Sequence, residues 1–187
     1  MLDKYLIPYK SRMLEPIFLD IETLGFNPFV HPITEIGLVD ISGKVLINKK
    51  LPVTDYQISQ ADPVALQITN FNAIDHLTLP HIRTEAALIE CQAFWEDKVI
   101  VGSNPTFDMT RLEILLYETL KQSPTWFYKP IDVCAMYFQM TGRLCRLGDI
   151  ASTFELTLPT HGALVDAMSV REVYMKLRTF QNDSSDF

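Results

Sequence analysis

The chain has 187 residues, with 16 basic against 23 acidic side chains and a formal net charge of −7. At 48% hydrophobic and 21% charged it has the composition of globular protein, and its length suits one domain around one buried core. The acidic balance argues against a protein that grips nucleic acid by bulk charge, but not against an enzyme that meets phosphates through bound metal ions. No run reaches the roughly 18 apolar residues of a membrane helix, and Asp3 and Pro8 interrupt any signal-peptide pattern. Cys91, Cys134 and Cys145 are odd in number and lack C-x-x-C spacing, which disfavours a disulfide framework or zinc knuckle. A cytoplasmic protein with no membrane partner is expected.

In chain order, residues 1–15 read as an N-terminal extension, with Met13 a natural start just before the first strand. Ile17–Glu22 is a continuous apolar run carrying two carboxylates, the pattern of a strand buried on both faces. Ile33–Asp40 and Val45–Leu51 are two further strands around a turn at Ile41–Lys44. Asp62 and Pro63 open a short helix over Val64–Ile68. A clearer helix begins at Thr84, its stripe running through Ala87, Leu88, Cys91, Phe94 and Trp95. Lys98–Gly102 is a short strand, and a long helix follows from about Phe107 to Leu120. Pro130–Cys134 is one more strand, Leu147–Phe154 a short helix and Ala163–Phe180 the last long helix. Residues 181–187 read as a mobile tail. A hairpin group followed by alternating strands and helices predicts an α/β fold, a single domain over 16–180 with a mixed β-sheet flanked by helices.

Charge conflicts with periodicity at several places. Asp20 and Glu22 lie two apart on an apolar strand and so share one face. In the last helix Asp166 falls on the stripe Ala163, Ala167, Val170, Tyr174, Leu177. In the long helix from about Phe107, the stripe Leu112, Leu115, Leu116, Leu120 extends back one turn to Asp108. Singly, each acid has an ordinary reading: a helix-start residue facing the dipole, or a strand end in water. Together they put acids on the core side of three separate elements. Burying ionised carboxylates costs several kcal/mol unless they are paired, and only Arg111, one turn from Asp108, is placed nearby. Oxygen-only ligands suit Mg²⁺ or Mn²⁺, and two such ions roughly 4 Å apart can flank a scissile phosphate. His161 alone would be a surface-loop histidine. With Asp166 five residues on, it reads as a general base for a metal-bound water.

The segments Phe18–Gly25, Gly102–Asp108 and His161–Ala167 resemble the three exonuclease motifs of the DnaQ-like DEDDh superfamily, in the family's order and in matching contexts. The related tyrosine branch has Tyr four residues before the final Asp, where this chain has Gly162. The resemblance runs from Pro16 to about Leu177. It implies a ribonuclease-H-like fold and 3′–5′ exonucleolysis releasing nucleoside monophosphates. It further implies that Asp20, Glu22 and Asp166 hold a first Mg²⁺ or Mn²⁺, with Asp20 bridging to a second ion that Asp108 reaches directly or through water. By the same resemblance His161 activates the attacking water. Thr23 and Leu24 would approach the 3′-terminal nucleotide, Leu24 as an apolar wedge, and Phe107 would wall the substrate site.

Phe26 and Phe29 read equally as base-stacking groups or as loop packing. Lys44, Lys49, Lys50, Arg143 and Arg146 read as phosphate contacts or as solvated surface. The expected substrate is the 3′ end of single-stranded or unpaired DNA, with RNA the alternative and any polymerase partner on a separate chain. Oligomeric state is not readable. Two rivals stand beside this reading. A phosphatase of the haloacid-dehalogenase kind would leave Asp108 and His161 without roles, and a non-catalytic subunit would not need all five residues.

Overall fold

The computed structural model describes residues 14–69, 71–157 and 162–183, with side chains as far as residue 180. His161, most of the N-terminal extension and the end of the tail lie outside the described residues.

The apolar run begins at Pro16 and becomes β1 (Pro16–Thr23), the middle strand of a five-stranded sheet. β2 (Ile33–Asp40) and β3 (Val45–Lys50) follow as antiparallel neighbours on one side, joined at Gly43 with φ +91°. Three short helices, α1 (Asp55–Ser59), α2 (Pro63–Ile68) and α3 (Ala73–Leu77), lead to α4 (Ile82–Trp95). The chain then adds β4 (Val99–Gly102) parallel to β1 on its other side and turns into α5 (Pro105–Leu120). β5 (Phe127–Asp132) closes the order β3-β2-β1-β4-β5, and α6 (Val133–Thr141), α7 (Leu147–Thr153) and α8 (Ala163–Asp183) complete the chain. The sheet is mixed and flanked by helices, as the element pattern predicts. Among the described residues no helix is long and apolar enough to cross a membrane.

Alternation along β1 divides the core into two layers. Ile17, Leu19 and Ile21 pack with Leu88, Trp95, Leu112 and Leu116 of α4 and α5. Phe18 packs on the opposite face with Val170, Val173, Tyr174 and Leu177 of α8. The period of two that sends Phe18 toward α8 also sends Asp20 and Glu22 there.

Three parts differ from the sequence reading. The expected strand over Pro130–Cys134 is two elements, because the Asp132 carboxylate accepts the Cys134 N–H and starts α6. α1 and α3 hold five residues each, too few to show a period; caps at Thr54 and Asn72 mark them instead. α5 begins two residues before Phe107, with Asn104 left-handed at φ +58° and Pro105 in the first turn.

Candidate active site

β1 outruns its neighbour β4. Their pairing stops at Phe18–Val101, and after Gly102 the chain folds back into α5. A Cβ on Gly102 would lie 2.9 Å from the Pro105 ring, so this turn needs the missing side chain. Asp108, in the first turn of α5, then takes the place of a strand partner, its Oδ1 accepting the Ile21 N–H at 3.0 Å. On its other side β1 continues beside β2, with Asp20 opposite Gly37 and Glu22 opposite Glu35. A register shift between Glu22 and Thr23 interrupts this ladder at the site, before the last pair Thr23–Ile33.

α8 brings the third acid. Its first turn is closed by the Asp166 N–H donating to the Gly162 carbonyl at 2.9 Å. One carboxylate oxygen from each of Asp20, Glu22 and Asp166 lies within 4.8 Å of the others. Asp108 is 4% exposed and acts electrostatically on Asp20. The acids taken from three elements of the sequence are therefore neighbours, with three in one cluster and Asp108 at its side.

The cluster resists ionisation. Burial holds Asp20 well above the usual carboxylate range, with Asp108, Asp166 and Glu22 adding repulsion. Burial raises Glu22 from 4.5 to about 7; Asp166 and Glu35 push the same way, and the Gly162 N–H pulls against them. Burial likewise raises Asp108 to about 7, despite the hydrogen bond from Ile21 and the nearby Arg111 charge. An all-oxygen set that repels itself is suited to a hard divalent cation, which makes the charged form the favoured one. The residues present fit such an ion.

The other residues singled out from sequence fall around this cluster. Thr23 is buried, its hydroxyl donating to the Gly25 carbonyl at 2.9 Å. Leu24 is wholly buried, its N–H donating to the Pro32 carbonyl and its carbonyl accepting from the Asp62 N–H. In this structure Leu24 lies under the surface rather than on it. Phe107 is half-buried and meets Phe26 edge-on, ring centroids 6.2 Å apart. Phe26 and Phe29 are exposed. Lys49 and Lys50 are ion-paired, Lys49 to Glu90 and Lys50 to Asp75 and more distantly Glu35.

Two features escaped sequence reading. Arg111 reaches Asp108 by its charge but makes its hydrogen bonds elsewhere. Its guanidinium donates to the Gly25 carbonyl at 2.6 Å and the His31 carbonyl at 3.1 Å, and lies 4.3 Å from the Phe107 ring centre. It thus clamps the β1–β2 loop that carries Phe26 and Phe29. Its place one turn after Asp108 was legible, but its carbonyl partners, 80 and 86 residues earlier, follow no sequence pattern. The second feature is a cleft of about 330 Å³ beside Glu22, lined by Glu35, Lys50, Phe71, Asn72, Asp75 and His76 among others. Phe71 stacks on the buried His76 at 4.9 Å, giving the cleft a rigid aromatic wall. The β1–β2 register places Glu35 here, and that register is set by a loop whose length alone does not define it.

Comparison with known proteins agrees with this geometry. The family model described as exonuclease, of the RNase_T type, matches residues 17–174. A PolC-type DNA polymerase III from Thermotoga maritima is 26% identical over 163 residues, which is 86% of this chain and 12% of that protein. The chain thus spans about an eighth of that relative's length. Among solved structures, S. pombe Pop2p in its Mg²⁺- and Mn²⁺-bound form aligns with a TM-score of 0.70 at 14% identity, over 89% of this chain and 83% of that one. The zinc-bound E. coli exonuclease I complex with single-stranded DNA aligns at 0.73 and 16% identity, over 94% of this chain and 42% of that one. The catalytic unit of Neurospora crassa Pan2, with its protease and nuclease domain, aligns at 0.63 and 14% identity over 95% and 29%. The structural likenesses carry the fold, and the match over residues 17–174 carries the family, leaving no place for the phosphatase reading. The chain belongs to the exonuclease family, as a DnaQ-like DEDDh member with the ribonuclease-H-like fold.

Proposed function

We propose that this exonuclease removes nucleotides in the 3′–5′ direction from single-stranded or unpaired DNA, using two divalent ions, Mg²⁺ or Mn²⁺. The observation that carries the reading is the meeting of Asp20, Glu22 and Asp166 oxygens within 4.8 Å at the end of the central strand. These three would hold one ion, and Asp20 with Asp108 the other; when bound, the pair polarises the phosphate, activates water and stabilises the leaving oxygen. The protein's own part is to fix the oxygens. β1 presents two on one face, α8 the third, and the Ile21 N–H anchors Asp108. His161 is assigned the proton from the attacking water.

The cleft beside Glu22 is assigned the terminal nucleotide, with Phe71 as its aromatic wall. Its size lies at the low end of the roughly 300–1,000 Å³ of ligand sites. Thr23 and Phe107 are assigned to the approach, whereas Leu24 would act as a wedge only after the loop uncovers it. DNA is favoured because the polymerase relative is a DNA polymerase and exonuclease I was seen with single-stranded DNA. The test uses 5′-labelled DNA and RNA strands of one sequence, with Mg²⁺, Mn²⁺ or EDTA. A metal-dependent ladder descending from the 3′ end, faster on DNA, is the expected result. A faster RNA ladder would reassign the substrate. Shortening from the 5′ end would overturn the direction.

A further inference from the structure

We propose that Gly37 is a positioning residue that sets the height of α8 over the sheet and so brings Asp166 within reach of Asp20 and Glu22. The proposal rests on the assignment of those three carboxylates as metal ligands. Gly37 is the residue of β2 paired with Asp20, and paired residues project to the same face of a sheet. That face lies under the start of α8. A Cβ built on Gly37 would lie 2.3 Å from the carbonyl carbon and oxygen of Ala163 and 2.4 Å from the Leu164 nitrogen. The obstacle is backbone, which no rotamer change can clear. Gly37 does not have the positive φ that distinguishes Gly25, Gly43, Gly142 and Gly162. Space, not conformation, is what requires glycine at this position.

Non-bonded carbon atoms settle at roughly 3.5–4 Å, so a methyl group at 37 would lift the first turn of α8 by about 1 Å. Asp166 belongs to that turn, closed by its N–H bond to Gly162, and would rise with it. Asp20 and Glu22, fixed in β1, would stay. Metal sites tolerate ligand shifts of only about 0.2 Å, and disturbing the groups that orient ligands typically costs about 10–100-fold in affinity. The position paired with Asp20 across the hairpin therefore sets the place of the ligand that α8 contributes.

The test is Mn²⁺ binding, followed by electron paramagnetic resonance, in wild type, Gly37→Ala and Ala163→Val. The second variant enlarges the buried side chain of the residue whose carbonyl faces Gly37. Circular dichroism in EDTA reports folding, and melting with and without Mn²⁺ gives the metal-induced stabilisation. The expected result is two folded variants whose Mn²⁺ affinity falls about 10–100-fold and whose metal-induced rise in Tm shrinks accordingly. Excess Mn²⁺ should recover part of that rise, while circular dichroism in EDTA separates this from a loss of folding. Wild-type Mn²⁺ affinity in a folded Gly37→Ala protein would overturn the proposal, as would failure of both variants to fold, since the contact would then serve stability alone. Absence of Mn²⁺ binding in the wild type would overturn the metal assignment itself, a separate failure.

Discussion

Replacing Asp166 by Asn should stabilise the metal-free protein at pH 8 while abolishing its response to metal. Glu22 is raised from 4.5 to about 7, with burial the largest cause and Asp166 the next. At about 1.4 kcal/mol per pKa unit, the whole displacement corresponds to roughly 3 kcal/mol. Solvent reaching the partly exposed Glu22 leaves about 1 kcal/mol of this to the Asp166 charge. The direction follows from proton counting. Between pH 4.5 and about 7 the folded chain keeps a proton on Glu22 that the unfolded chain has released. Raising the pH through that window erodes the stability of the metal-free wild type, and above it the repulsion from Asp166 is fully felt. The Asn variant should therefore melt about 2–4 °C higher than wild type in EDTA at pH 8, with the difference fading toward pH 5. Thermal melts at both pH values, with EDTA and with Mn²⁺, read all four quantities. If the variant melts below wild type in EDTA at pH 8, Asp166 supports the fold directly and the argument from crowded carboxylates is refuted.

The raised values of Glu22 and Asp108, both about 7, mean that cation binding must displace protons in acid. Mn²⁺ affinity measured calorimetrically should rise at least about tenfold from pH 6 to pH 8 and level off above; a flat profile would count against these groups as ligands. Removing the Arg111 clamp by substitution to Met orphans the Gly25 and His31 carbonyls, at about 2–3 kcal/mol. Tm should fall by roughly 5–10 °C and limited proteolysis should cut first within residues 24–32; cutting elsewhere would show that Arg111 does not hold that loop. His161→Ala should lower turnover about 10²–10⁴-fold with Mn²⁺ affinity unchanged in a binding titration, and a large loss of affinity would make His161 a ligand instead.

What the sequence revealed, it revealed through conflict between pattern and charge. Asp20 and Glu22 stood out because two carboxylates interrupt a strand whose other residues all belong inside, and both do lie on the face toward α8. Asp108 and Asp166 stood out because helical periodicity put them on stripes that continue through Leu112 and Leu116, and through Ala167 and Val170, all wholly buried. Periodicity reports a face without its partner. It showed that Arg111 lay near Asp108, but not that its guanidinium would reach back to Gly25 and His31. Glu35 and Gly37 carried no signal, because their meaning comes from the register of β2 against β1 and from the closeness of α8. The resemblance makes Leu24 an apolar wedge, and its burial, with the loop bonds to Pro32 and Asp62, shows it covered here.

The most direct measurement is the release of nucleotide from a uniformly labelled single-stranded oligonucleotide by wild type and Asp20→Asn, each with Mg²⁺ and with EDTA, the products separated by chromatography. The account predicts nucleoside 5′-monophosphate from the wild type with Mg²⁺ alone, and at least a hundredfold less from the variant, which loses the carboxylate proposed to serve both ions. Undiminished release in EDTA, or from Asp20→Asn with Mg²⁺, would contradict it.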